Sequence, residues 1–380
     1  MRIGIEVQRI FRPKKHGMEV VAMELIRQLQ QLDKKNEYVL FAKDDADKQC
    51  IRETDNLKIE TIAGYTYADW EQIKLPAAVK KQQLDFLHCT CNTAPVIPGK
   101  HLLLTLHDII YLEKVDFKGT AYQNFGNLYR RFVVPRVVKK SNFVITVSHF
   151  ERNTILERLQ LPDEKVEVVY NAVNPRFNNN IAAADLEVFR KKFNLPQRFI
   201  LFLGNTAPKK NTPNVIRAFV EYSLSGKENI PLVLLDYDKQ LVEKALTELG
   251  QPQLLNRFLF PGYVPPDQMP FIYNAATLFL YPSLRESFGL PILEAMGCGV
   301  PVITSNTSSM PEVAGDAAIL VDPFEYKQIA EGISTMLENE ALLNEYKVKG
   351  LQRAAQFTWE ASAKQLLSIY DKMGSIRNKV

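Results

Sequence analysis

At 380 residues the chain is long enough for two domains of ordinary size, each with its own core. Hydrophobic residues make up 46% and charged residues 24%, the balance of a soluble globular protein, and a net charge of +4 with no recognition motif argues against nucleic acid as a partner. No apolar run reaches the length of a membrane span, and the N-terminal MRIGIEVQRIF reads as a first strand rather than a secretory leader, so a cytoplasmic location is expected.

Taken in chain order, short β-rich runs alternate with amphipathic helical runs, the grammar of parallel sheets covered by helices on both faces. In the first half strands are expected at Arg2–Val7, Tyr38–Ala42, Leu57–Thr61, Phe86–Cys89, Leu102–Leu106, Phe143–Val147 and Val166–Val169. Helices are expected at about 18–32, 70–82, 120–140 and 149–160. A polar stretch around Asn178–Asn180 reads as a linker. The same grammar restarts at Phe199–Leu203, with strands at Pro231–Leu235, Phe258–Pro261, Leu278–Tyr281, Val302–Thr304 and Ala318–Leu320. The fold class is therefore α/β, two doubly wound Rossmann-like domains whose ligand sites lie at the carboxyl ends of the strands, facing a central cleft. The expected division is 1–172 and 173–359, with a last helix at about 360–380.

The positive charge is uneven. From Phe117 to Phe150 there is no acidic residue, while Lys118, Arg130, Arg131, Arg136, Lys139 and Lys140 alternate with aromatic and aliphatic side chains. Such a stretch, 118–140, could rest on an anionic membrane surface, grip an anionic acceptor, or form a solvated helix face. Cys50, Cys89, Cys91 and Cys298 follow no metal-ligand spacing and are expected to be free thiols.

The most informative segment runs from Tyr281 to Pro323. Glu286 precedes a short helix that begins around Phe288-Gly289-Leu290-Pro291, and Glu294 lies about one turn inside it. Pro291 suits the first helical position, and Gly297 and Gly299 stop the helix. The helix start at Ser287 to Leu290 offers backbone N–H groups and a positive dipole end to an electron-rich group, and Gly289 lets that group come close. Two acceptor-only carboxylates beside an anion site suit a ligand with both phosphate and hydroxyls, such as a nucleotide sugar. Glutamates also favour the first turn of any helix, which alone would account for Glu294. Earlier in that half, Gly204 follows the first strand, and Lys209-Lys210 stand at an expected helix start, where the dipole disfavours cations unless an anion binds.

The two glutamates separated by seven residues around F-G-x-P, followed by G-x-P-V-I at Gly299–Ile303 and P-E-V at Pro311–Val313, resemble the signature of retaining glycosyltransferases of family 4, which have the GT-B fold. Within that family the chain is most similar to the mannosyltransferase-B-like branch of bacterial surface-polysaccharide synthesis. The resemblance implies that the last helix, at about 360–380, crosses back onto the first domain, that Glu286 holds sugar hydroxyls and that Glu294 holds the ribose diol. It also implies that Lys209 (where Arg is usual) and Lys210 meet the diphosphate, and that His107, in L-H-D after the Leu102–Leu106 strand, contacts the transferring sugar. Gly17 resembles the family's glycine loop beneath the diphosphate and acceptor, where Glu19 replaces a second glycine and is expected to turn towards the acceptor. Tyr263 and Val264 resemble the G-Y-V turn whose backbone reads the base. Glu286, His107 and Lys210 are thus the expected catalytic residues. Asp236-Tyr237-Asp238 resembles a D-x-D metal motif, but GT-B enzymes generally need no metal, so no cofactor is expected beyond the sugar donor.

These implications define a hexose transfer from a nucleoside-diphosphate sugar to a hydroxyl of a glycan or lipid-linked acceptor. Two other readings stay open. A nucleotide-sugar epimerase of the same fold would form product without any acceptor. A non-catalytic sugar-nucleotide-binding protein would bind donor with neither transfer nor hydrolysis. A dinucleotide oxidoreductase is disfavoured because no G-x-G-x-x-G follows the first strand of either half.

Overall fold

A computed structural model describes residues 1–113, 121–225 and 230–377. The chain divides into two compact units, one made of Met1–Asn171 with the segment from Trp359 onwards, the other of Ala172–Thr358. Lys118, part of the basic stretch, lies outside the described residues.

The first unit is built on seven parallel strands: β1 (Arg2–Glu6), β2 (Glu37–Ala42), β3 (Leu57–Thr61), β4 (Phe86–Cys89), β5 (His101–Thr105), β6 (Phe143–Thr146) and β7 (Val166–Val168), in the order β3-β2-β1-β4-β5-β6-β7. Ile3 pairs with both Tyr38 and Phe86, which sets the register of the sheet centre. Both faces are covered, so these strands read as continuous apolar runs rather than alternating ones. One face carries Trp70, Val79, Val134 and Val138, and the other Ile26, Leu29, Ile369 and Tyr370. The last of these belong to helix Trp359–Arg377, which packs beside helix Gly17–Leu32. The helix expected at about 70–82 starts earlier, at Tyr67. Thr66 caps it, accepting from Asp69 N at 3.1 Å, while the Asp69 carboxylate returns to the Thr66 amide, a reciprocal pair invisible to hydrophobic periodicity.

The second unit has six parallel strands: β8 (Ile200–Leu203), β9 (Leu232–Leu235), β10 (Phe258–Leu259), β11 (Leu278–Tyr281), β12 (Val302–Ser305) and β13 (Ala318–Val321), in the order β10-β9-β8-β11-β12-β13. β10 stops short of the expected Pro261, a residue that cannot donate to a ladder. Each sheet reverses its strand order once, between β1 and β4 and between β8 and β11. In open parallel sheets ligands collect in the crevice at such a reversal, beyond the carboxyl ends of the strands.

Candidate functional site

In the C-terminal unit the loops leaving β8 and β11 meet at that reversal, where Leu284 N donates to Lys209 O at 2.7 Å. The two lysines do not open a helix. They form a single 3₁₀ turn, Pro208–Lys210, and helix Thr212–Leu224 follows after Asn211, whose φ of +60° breaks the path. Asn211 is held there by its amide, which donates to Pro282 O at 3.0 Å and Pro323 O at 2.6 Å. Lys210 Nζ donates to Glu286 Oε1 and to the Tyr281 hydroxyl, both at 2.8 Å, and Lys209 Nζ lies 3.5 Å from Glu286 Oε2.

Glu286 is buried, which by itself would raise its pKa, but Lys210 and Lys209 overcome that and hold it below the usual range. The carboxylate is therefore ionised, and two ammonium groups around one carboxylate leave a surplus positive charge. Its backbone is fixed as firmly as its side chain. Ser308 Oγ accepts from Glu286 N at 3.1 Å and donates to Glu286 O at 2.6 Å. Ser309 Oγ donates to Glu286 O at 2.8 Å and Phe288 O at 2.9 Å.

Ser287 and Phe288 lead into Gly289, which caps helix Leu290–Gly297 with φ of +101°, so Pro291 occupies the second helical position rather than the first. Gly289 carries the turn because only a residue without Cβ adopts that angle freely. Glu294 lies one turn in, its Oε2 accepting from Tyr273 OH at 3.2 Å, and burial pushes its pKa up to about 7. Tyr281, buried with its pKa raised first by burial and then by Glu286, stands between the lysine and the end of the strand. Gly204 is buried just after β8, where a Cβ would sit 3.3 Å from Phe202 and from Tyr237. Gly262 has φ of +81°, leaving Tyr263 exposed and Val264 buried in the turn before a 3₁₀ turn at Pro266–Gln268 and helix Met269–Ala275. Asp238 serves its own helix, accepting from Gln240 N at 2.7 Å.

In the N-terminal unit, His107 is buried just beyond β5. Its N–H donates to Asn92 Oδ1 at 2.6 Å, and its Nε2 lies 2.9 Å from Thr90 O. A carbonyl only accepts, so Nε2 carries the proton. Burial lowers the ring's pKa, and the neutral imidazole presents Nδ1 as an acceptor. Gly17 is the first residue of helix Gly17–Leu32, whose cap is His16. Glu19 Oε2 takes the His16 N–H at 2.8 Å, closing the helix start, and the residue also borders a cavity.

That cavity, about 660 Å³, sits at the β1/β4 reversal. Glu6 and Gln8, which follow the strand core of β1, line it, and both are almost wholly buried. Gln8 N donates to Glu6 Oε1 at 2.7 Å, and burial pushes Glu6 up to about 7. Tyr67 and Tyr129 form part of the wall, held by Glu71, which accepts from Tyr67 OH at 2.9 Å and Tyr129 OH at 2.5 Å. Sequence reasoning missed this group, as it missed Tyr281, Ser308 and Ser309. The one available signal was an acid following the apolar run Ile3-Gly4-Ile5 at the end of the first strand.

Two family models cover most of the chain: residues 16–177 match glycosyltransferase family 4 and residues 185–353 match glycosyl transferases group 1. The O-antigen chain mannosyltransferase B of Escherichia coli is 34% identical over 232 residues, 60% of each chain. The serotype-specific mannosyltransferase WbdA of E. coli is 29% identical over 261 residues, 68% of this chain but 32% of that protein. Among solved structures, Anabaena HepE in complex with UDP and glucose matches with a TM-score of 0.72 at 19% identity, covering 98% of this chain and 100% of that one. Two doubly wound parallel sheets with these neighbours define the GT-B fold. The chain belongs to the glycosyltransferases of family 4, and its relatives in sequence include mannosyltransferases and a 2-deoxystreptamine glucosyltransferase of Streptomyces kanamyceticus.

Proposed function

We propose that the protein is a retaining glycosyltransferase that moves a hexose, of mannose or glucose type, from a nucleoside-diphosphate sugar to a hydroxyl of a glycan or lipid-linked acceptor in surface-polysaccharide assembly. The observation that carries this reading is Glu286 clamped between Lys210 and Lys209 beside the Gly289 turn. The surplus positive charge and the start of helix Leu290–Gly297 suit a diphosphate, and they would stabilise charge as it develops on the leaving group. Glu286, ionised and acceptor-only, would hold donor sugar hydroxyls, and Glu294 the ribose diol. Neutral His107 would accept a hydroxyl of the transferring sugar through Nδ1. The lysines supply the counter-charge, so we expect transfer to survive chelation of divalent metals. The UDP in HepE and the mannosyltransferase relatives support this reading without choosing between UDP and GDP, or between glucose and mannose.

Membrane association is a further part of the proposal. Among the described residues no helix is long and apolar enough to cross a membrane. Helix Ala121–Lys140 instead exposes Phe125, Leu128 and Phe132 along one stripe, with Arg136 and Lys139 exposed beside it and the Arg136 guanidinium 3.7 Å over the Phe132 ring. A basic, aromatic stripe of this kind suits an anionic lipid surface.

The test is a transfer assay with UDP- and GDP-linked glucose and mannose over a panel of glycan and lipid-linked acceptors. Glu286→Gln keeps the shape of the side chain but not its charge, and it should lower turnover at least about 100-fold with the fold intact. Wild-type turnover in that variant would overturn the reading.

A further inference from the structure

Tyr281 closes strand β11 and is only 2% exposed, yet its polar end meets the pair Lys210 and Glu286. Its hydroxyl accepts from Lys210 Nζ at 2.8 Å and gives its own proton to the Glu286 carboxylate. A phenol has one proton to donate and lone pairs to accept with, so both bonds form at once. Backbone and ring are both fixed. Thr304 Oγ1 and Ser283 N each donate to Tyr281 O at 2.9 Å, and the ring stacks on Phe279 with centroids 5.7 Å apart.

Lys210 needs a partner of this kind. Its ammonium ends a flexible four-carbon stem, and beside a lone carboxylate it would settle against the anion and turn away from a ligand. Two of its three N–H donors go to Glu286 Oε1 and to the Tyr281 hydroxyl, both at 2.8 Å. The third has no partner among the described residues, and the side chain is 16% exposed. A neutral acceptor occupies one donor without cancelling the charge, and two fixed partners set the direction of the third.

We propose that Tyr281 is a positioning residue of this site: its hydroxyl pins Lys210 and Glu286 in one arrangement and aims the third N–H of Lys210 at the diphosphate. The proposal rests on the donor reading of the site and adds to it a residue that touches neither sugar nor phosphate. Its effect is greatest where charge develops on the leaving group, because a donor already aimed needs no reorganisation there. Sugar hydroxyls that draw on Glu286 leave the phenol's hold on Lys210 in place.

Tyr281→Phe removes the hydroxyl alone and keeps the ring, its stacking on Phe279 and the ammonium contact 4.6 Å from the ring centroid. Equilibrium dialysis with UDP and GDP would compare the wild type, Tyr281→Phe, Lys210→Ala and the double variant. These nucleotides carry no sugar for Glu286 to hold, so the cycle reads Lys210 alone. Tyr281→Phe should weaken binding of the preferred nucleotide at least about fivefold, with unchanged circular dichroism. In the Lys210→Ala background the same change should alter affinity by less than about twofold, because its effect passes through the lysine. Turnover with the matching sugar donor should fall at least about tenfold in Tyr281→Phe. Undiminished binding in Tyr281→Phe would overturn the proposal. An equal loss in the Lys210→Ala background, or a Tyr281→Phe chain that does not fold, would also overturn it by making the hydroxyl a structural group. A wild type that binds neither nucleotide would instead sink the donor reading, and this proposal with it.

Discussion

At the scale of single residues, the donor-site proposal turns on how Glu286 and Glu294 differ. Glu286, buried ahead of the short helix, is held ionised by two lysines, while Glu294, half-buried inside it, is pushed up to about 7 by desolvation, with Tyr273 and Arg176 drawing it back. Lys210→Ala removes the 2.8 Å cation beside Glu286 and leaves Lys209 at 3.5 Å with the Tyr281 hydroxyl. We expect a stability loss of about 1–3 kcal/mol, read as a lower chemical-denaturation midpoint, and a loss of transfer larger than the folding defect explains. For Glu294 the raised pKa means that the folded state binds the proton more tightly than the unfolded state. Stability is then unpenalised below pH 4.5 and falls as pH rises from there through about 7. Glu294→Gln should remove that fall, so its advantage over the wild type should grow from nothing at pH 4 to about 3 kcal/mol at pH 8, measured by urea denaturation. A difference that stays flat with pH would contradict the burial argument.

At the scale of elements, most of the fold was legible because parallel strands buried on both faces write themselves as apolar runs. Leu57–Thr61, Phe86–Cys89 and Leu278–Tyr281 have the bounds that their sequences suggest. What stayed hidden was local hydrogen-bond chemistry. The early start at Tyr67 depends on the Thr66–Asp69 box, and the separation of the lysines from their helix depends on Asn211 bonding two carbonyls, one of them on a strand exit far along the chain. The Gly289 turn was visible as a motif, but its left-handed geometry was not. Gly289→Ala forces that angle on a residue with Cβ, which would also sit 3.2 Å from Ile292 Cδ1. It should cost about 1–3 kcal/mol and weaken donor binding with it, both checked by thermal shift with and without nucleotide sugar. In helix Ala121–Lys140, Phe132→Ser with Leu128→Ser should abolish co-sedimentation with anionic vesicles while leaving transfer to a soluble acceptor intact. Retained vesicle binding would count against the lipid surface.

At the scale of the whole molecule, the two units repeat one plan: a parallel sheet, one reversal of strand order, and polar side chains gathered at the carboxyl ends beside it. The C-terminal half announced its polar group through paired glutamates and lysines close together in sequence. The N-terminal half did not, because Glu6 with Gln8, Glu71, and Tyr129 come from three distant stretches that only the sheet brings together. That contrast explains why the proposed donor site could be read from the chain and the N-terminal cavity could not.

The central claim, that Lys209 and Lys210 beside Glu286 take the diphosphate of a sugar donor, is tested most directly by calorimetric titration of UDP- and GDP-sugars into the wild type and Lys209→Ala. Lys209 is half exposed and contributes little to the fold, so its loss should leave the melting temperature nearly unchanged. The wild type should bind one donor in roughly the micromolar range, and the variant should bind it at least about tenfold more weakly. Equal affinity in the two proteins, or no heat with any donor, would contradict it.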